Sequence, residues 1–323
     1  MSRRALSTLV ALAALSVPPV AVAQTAFPER PIRLVVPFSQ GTALDIVARM
    51  MSEGLSQEFK SPVIVENRIG ASGVIGTDAV AKAAPDGYTL LFTSPAHYFN
   101  EHLYKSLPYD TVKDFTPITK ISNALLVLVV NKDSPFSSLK ELIDHAKAKP
   151  DDLRYSSAGM GSTTQLSGAL FNAMAGIKVD HVPYKGGAQA LTDVMGGHVS
   201  MTFTAVATAL PHAKAGTLKP LGVTGLARSQ SMPDVPTIAE AALPGYELVS
   251  WSGALAPSGT PSEIVEKLNA AMVKVAQNPE FQAKLITMGV EPDVMTKAVF
   301  ERAIEQDLPK WAKIAEMSGA VPK

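Results

Sequence analysis

The chain has 323 residues, with 29 lysines and arginines balanced by 29 aspartates and glutamates, 46% apolar residues and no cysteine. Zero net charge lacks the basic footprint that a nucleic-acid binder uses to displace counterions from phosphate. The missing cysteines exclude thiol nucleophiles, cysteine-ligated zinc, iron–sulfur clusters and disulfides.

The chain opens with Arg3 and Arg4, an uncharged run from Ala5 to Val17, and Ala21-Val22-Ala23 ahead of Gln24. That is the pattern of a secretory signal peptide, 1–23, cleaved near Ala23, since the run is shorter than the roughly 20 residues that span a bilayer. The mature chain is expected in the periplasm. Cleavage removes two arginines and no acid, leaving a slightly acidic protein. An oxidising compartment permits disulfides, so their absence implies a core large enough to do without them.

Beyond the signal, Ile32 to Val36 reads as a strand, Phe38 to Thr42 as a loop, and Leu44, Val47, Met51 and Leu55 as one face of a helix. Val63-Ile64-Val65 is a second strand, Val74 to Ala84 a second helix, and Tyr88 to Phe92 a third strand after Pro85-Asp86-Gly87. The alternation then repeats. Leu125 to Val130 is a strand, Ser137 is the expected cap of a helix through Leu139, Leu142 and Ile143, and Arg154 to Ser156 leads into the loop Ser157 to Gly161. A helix from about Ser162 ends at Gly176, His181 to Tyr184 is a strand end, Ala188 to Met195 a helix, and Val199 to Phe203 a strand. Thr260-Pro261-Ser262-Glu263 reads as a capping box, followed by helices through Ile264 to Val275, Phe281 to Met288 and Ala298 to Met317. Leu248 to Ala256, with Trp251, reads as a strand returning to the first unit.

This pattern predicts an α/β fold of two lobes, each a mainly parallel sheet flanked by helices. Lobe 1 is 24–124 plus 249–323 and lobe 2 is 125–248. Two crossing strands serve as the hinge, and the cleft beside them is the expected ligand site.

Enzyme motifs are absent: there is no nucleophile elbow, no phosphate-binding P-loop and no His-Glu-x-x-His pair. Gly159-Met160-Gly161 fails the dinucleotide fingerprint, because Thr164 stands at its third glycine. The six histidines show no helical metal spacing. No cofactor and no metal are expected. What repeats is a loop that leaves a strand and opens a helix, carrying glycine and hydroxyls: Phe38-Ser39-Gln40-Gly41-Thr42, and Ser157-Ala158-Gly159-Met160-Gly161-Ser162-Thr163. Helix N-termini offer unpaired N–H groups and partial positive charge, so such loops can hold an anion without lysine or arginine. Ser94-Pro95-Ala96 reaches the same sheet edge if the strand order reverses between β-strands.

These residues occur within a set of ordered segments: Pro31 to Phe38, Val65-Glu66-Asn67-Arg68, Pro85 to Leu91, Pro108-Tyr109-Asp110, His181-Val182-Pro183-Tyr184-Lys185-Gly186, Pro233 to Thr237, Ala256 to Pro261 and Trp311-Ala312-Lys313. In them the sequence resembles the substrate-binding proteins of tripartite tricarboxylate transporters, the Bug receptors. The resemblance implies a type II periplasmic binding protein that closes on a small carboxylate and hands it to membrane subunits of the transporter. It implies a ligand held by Phe38, Ser39, Gln40, Gly41, Thr42, Asp45, Ser94, Pro95, Ala96, Ser157, Ala158, Gly159, Gly161, Ser162, Thr163, Gln165, Tyr184 and Thr204. Many members have aspartate at the position of Thr204 and Pro-Gly-Gly at Gln40 to Thr42. Without that aspartate a ligand amino group has no partner, so a non-amino acid, a dicarboxylate or an aromatic acid is expected. A monomer is expected. A ligand-sensing partner of a sensor kinase and a periplasmic hydrolase acting through Ser162 are the alternatives.

Overall fold

The structure, a computed structural model, describes residues 27–317; the expected signal peptide lies outside them. The chain runs β1 (Ile32–Val36), α1 (Ala43–Phe59), β2 (Val63–Asn67), α2 (Val74–Ala81), β3 (Thr89–Thr93), α3 (Ala96–Leu103) and β4 (Phe115–Ala124). It then enters β5 (Leu126–Asn131), α4 (Leu139–Ala148), β6 (Arg154–Ser157), α5 (Thr163–Ala175), β7 (Asp180–Pro183), α6 (Gly187–Met195), β8 (Met201–Ala205), α7 (Val206–Lys214), β9 (Leu218–Val223) and α8 (Ile238–Ala241). It returns through β10 (Ser250–Pro257), α9 (Ser262–Ala276), α10 (Pro279–Thr287), β11 (Val290–Met295) and α11 (Lys297–Met317).

Two sheets result, in the orders β11-β4-β10-β3-β1-β2 and β7-β6-β8-β5-β9. In each, three consecutive strands pair in parallel (β2-β1-β3 and β7-β6-β8) and the rest pair antiparallel, so both sheets are mixed. The strand order reverses at β1, flanked by β2 and β3, and again at β6, flanked by β7 and β8. Loops that leave parallel strands at such a reversal diverge and open a crevice at the carboxyl edge. Both glycine-bearing loops leave these reversal strands.

Apolar strands buried on both faces anchor the helices. Ile32, Leu34 and Val36 of β1 pack against Val47, Met51 and Leu55 of α1 and Leu268 and Met272 of α9. In the other lobe Leu128 and Val130 of β5 pack against Leu139, Leu142 and Ile143 of α4 and Phe171 of α5. The long α11 serves both lobes: Phe300 and Ile304 join a core with Val35, Leu91 and Trp251, while Trp311 and Ile314 join the core of β5 and α5. Pro309 lies between these halves. The lobes also touch at β11, where Glu291 accepts bonds from Ser229 Oγ (2.7 Å) and the Gln230 N–H (2.9 Å).

Two caps differ from expectation. The cap of α4 is Ser138, which accepts from the Glu141 N–H at 3.2 Å, while Ser137 donates its own N–H to the Glu141 carboxylate. The expected box at Thr260 does not form: α9 begins after Pro261 with no side-chain cap, and the Thr260 hydroxyl turns back to the Pro257 carbonyl. Proline fixes φ there and removes one of the donors a cap would satisfy. A complete capping box occurs at Thr237 and Glu240 of α8. Among the described residues no helix is long and apolar enough to cross a membrane.

Candidate functional site

A cavity of about 590 Å³ lies between the two sheets, against the crossing strands. Its walls come from the loop after β1 and the start of α1 (Phe38, Thr42, Ala43, Leu44, Val47), from α3 (Ala96, Phe99, Asn100, Leu103), from the loop before α5 (Ala158, Met160, Gly161, Ser162, Thr163), and from β4 and β10 (Ser122, Ala124, Ser250, Trp251, Ser252). Ser72, Ser94 and Val290 complete it. None of these side chains carries a charge.

The two loops are closed by the same set of bonds. In the first, Gly41 takes φ +78°, Thr42 caps α1, the Thr42 hydroxyl accepts from the Asp45 N–H (3.3 Å) and donates to the Ser39 carbonyl (3.0 Å), and the Asp45 carboxylate accepts from the Gly41 N–H (2.9 Å). In the second, Gly161 takes φ +75°, Ser162 caps α5, the Ser162 hydroxyl accepts from the Gln165 N–H (3.3 Å) and donates to the Gly159 carbonyl (2.6 Å), and the Gln165 Oε1 accepts from the Gly161 N–H (3.3 Å). The left-handed φ is what glycine supplies at low cost. The cap hydroxyl serves the third N–H of each helix, which leaves the first two, on Ala43 and Leu44 and on Thr163 and Thr164, without a partner inside the helix. Ala43, Leu44 and Thr163 border the cavity. Each lobe therefore presents a helix start, with its amides and partial positive charge, to one shared cavity.

Of the residues expected at the ligand, Phe38, Thr42, Ser94, Ala96, Ala158, Gly161, Ser162 and Thr163 line this cavity. Ser39, Gln40 and Gly41 are exposed and form the outside of the first loop. Asp45 and Gln165 are buried and brace the loops from behind. Pro95 is buried at the start of α3, and Gly159 carries the carbonyl that takes the Ser162 hydroxyl. Ser157 is fully buried, its Oγ 2.6 Å from His181 Nε2. Tyr184 donates to Asp193 of α6, and Thr204 is buried in β8 opposite Val127; neither borders the cavity. Sequence reading missed Phe99, Asn100 and Leu103 of α3, and Ser122, Ser250 and Ser252 of the crossing strands. Ser250, Trp251 and Ser252 are consecutive on β10 and all three border the cavity, so strand alternation does not single them out.

The hydrolase alternative needs a base at Ser162. Its hydroxyl partners are Gly159, Thr164 and the Gln165 N–H. The serine bonded to histidine is instead Ser157, which has no exposed surface and lies outside the cavity.

Two lobes joined by crossing strands around an uncharged, amide-lined cavity define a solute-binding protein of the periplasmic receptor type. The chain belongs to the tripartite tricarboxylate transporter receptor family, whose model matches residues 47–320. It is 34% identical to Protein BugT of Bordetella pertussis (strain Tohama I) over 301 residues, covering 93% of this chain and 92% of that protein. Among solved structures it is similar to R. palustris Rpa4515 with adipate (36% identity, TM-score 0.79, covering 92% of this chain and all of that one). It is also similar to the periplasmic binding protein BugD (32% identity, TM-score 0.75, covering 92% of this chain and all of that one).

Proposed function

We propose that this protein is a periplasmic receptor, exported by residues 1–23, that binds a small non-amino organic acid between lobes 24–124 with 249–323 and 125–248. It then delivers that acid to the membrane subunits of a tripartite transporter. The observation that carries this reading is the convergence of two equivalent helix starts, one per lobe, on a single uncharged cavity. Each start suits one carboxylate, and Phe38, Phe99, Leu103, Trp251 and Val290 offer an apolar wall for the chain or ring between them. A dicarboxylate fits both features. An amino acid would bring an ammonium group to a cavity with no acid to receive it, at the cost of burying an unpaired charge.

The magnitudes suffice. Hydrogen bonds to a charged group contribute about 1.5–3 kcal/mol each. Four or five of them near the upper end of that range, less an association cost of at least about 4 kcal/mol, reach the roughly 8 kcal/mol of micromolar binding. That a relative is solved with adipate supports the ligand class, and membership of the receptor family supports the transporter partnership.

The test is a thermal-shift screen of mono-, di- and tricarboxylates with glutamate and aspartate as counter-ligands. An acid at about 100 times its Kd stabilises the folded form by roughly 2.7 kcal/mol. Tight binding of glutamate or aspartate, with no response to the other acids, contradicts the reading.

A further inference from the structure

The two braces behind the helix starts do the same job with different chemistry. In lobe 2 the Gly161 N–H is closed by Gln165, an uncharged amide. In lobe 1 the Gly41 N–H is closed by Asp45, an acid set directly behind a site suited to anions. Asp45 is 2% exposed. Burial opposes its ionisation, but bonds from Arg49, Asn67 and the Gly41 N–H outweigh that and hold its carboxyl below the usual carboxylate range. Left alone, that negative charge would more than offset the roughly half unit of positive charge at a helix N-terminus.

It is not left alone. One turn along α1, Arg49 sets Nε 3.0 Å from Asp45 Oδ2 and Nη2 3.1 Å from Oδ1, the two-pronged geometry of a strong ion pair. Arg49 Nη2 also donates to Asn67 Oδ1 (2.9 Å), and Asn67 Nδ2 donates to Asp45 Oδ1 (2.8 Å) and to the carbonyl of the cavity residue Phe38 (3.1 Å). Arg49 and Asp45 do not border the cavity, whereas Thr42, Ala43 and Leu44 beside them do.

We propose that Arg49 is a specificity-determining positioning residue: it cancels the Asp45 charge, so that the lobe 1 helix start can hold the second carboxylate of a dianionic ligand. The Asp45–Arg49 pair is then the electrical equivalent of the single neutral Gln165. This rests on the carboxylate reading above, and it extends that reading to the number of charges the ligand carries.

The experiment is calorimetric titration of wild type, Arg49→Gln, Asp45→Asn, the double variant and Arg49→Lys with adipate, phthalate and hexanoate. A unit charge about 6 Å away, screened by an effective dielectric of about 40, is worth about tenfold in affinity. Arg49→Gln is expected to weaken the dicarboxylates about tenfold and Asp45→Asn to strengthen them by a similar factor. The double variant should return close to wild type, and Arg49→Lys should stay within about threefold of it, as a charge effect requires. Hexanoate, with one carboxylate, should respond less than adipate. Equal weakening of all three probes by both single variants, or a lysine variant as weak as the glutamine one, means that the pair only shapes the loop and overturns the inference alone. A wild type that binds none of the three overturns the carboxylate reading and this inference with it.

Discussion

Ser162→Ala separates the two duties of a single hydroxyl. Ser162 caps α5 and also borders the cavity, so its loss should cost both folding stability and ligand affinity. Removing an N-cap serine costs about 1 kcal/mol, which in a protein of this size lowers Tm by about 2 °C. Its one O–H, given to the Gly159 carbonyl at 2.6 Å in this structure, would have to turn to the ligand, where a hydrogen bond to a charged carboxylate is worth about 1.5–3 kcal/mol, or roughly 10- to 150-fold in Kd. Ser138 is the matched control, because it caps α4 through the Glu141 N–H in the same way but lies away from the cavity. Thermal melts of both alanine variants should fall together, while titration with adipate should weaken only for Ser162→Ala. Unchanged affinity in Ser162→Ala, with Tm lowered as in Ser138→Ala, would refute a ligand role for the hydroxyl.

Gly289→Ala should loosen the contact between lobes. Gly289 takes φ +67°, and a Cβ there would meet the Ala207 backbone N at 2.6 Å and Cα at 2.9 Å. A loss of at least about 1 kcal/mol in urea unfolding is expected, together with a larger radius of gyration in X-ray scattering; no change in either contradicts it. Trp251→Ala removes an indole that packs edge-on against Phe300 at 5.1 Å and should cost about 3–5 kcal/mol, against a smaller loss for Trp251→Phe. Alanine and phenylalanine variants of equal stability would show that the indole wall is not packed as described. His97 is buried against Tyr98, Tyr109 and Phe115, and burial lowers its pKa from 6.5 to about 4, against the smaller opposing effect of its bond to the Thr111 carbonyl. The unfolded chain therefore holds more protons at this site between those values. Its contribution is complete above about pH 6.5 and declines toward pH 4 by up to about 1.4 kcal/mol per unit. Urea titrations across that window should show a slope that His97→Gln reduces, and an identical slope in the variant would count against a buried neutral histidine.

The loops were legible because their chemistry is local. Glycine and hydroxyls sit between a strand and a 3.6-residue repeat in both Ser39 to Thr42 and Gly159 to Thr163, a grouping that suits a turn into a capped helix start. Their convergence depended on strand order, which follows from β1 and β6 standing at reversals. The helix α3 has eight residues and begins at Pro95 with no side-chain cap, so the sequence carries no start signal for it and Phe99, Asn100 and Leu103 do not stand out. The strand β4 carries Pro117, Lys120 and Asn123, which disguise its alternation; Lys120 is held there by Asp293 of β11 at 2.6 Å, a partner 173 residues away. The family resemblance puts Asp45 and Gln165 at the ligand, yet in the first turn of a helix a side chain of their length reaches back to the glycine N–H. Adjacent serines made the α4 cap ambiguous by one residue.

A crystal structure of the protein with a dicarboxylate selected in the thermal-shift screen tests the central claim most directly. The account predicts one carboxylate within hydrogen-bond reach of the Ala43 and Leu44 amides and the other within reach of the Thr163 and Thr164 amides, with the spacer against Trp251 and Phe99. A ligand seated outside this cavity, or one whose carboxylates are held by lysine or arginine side chains, would contradict it.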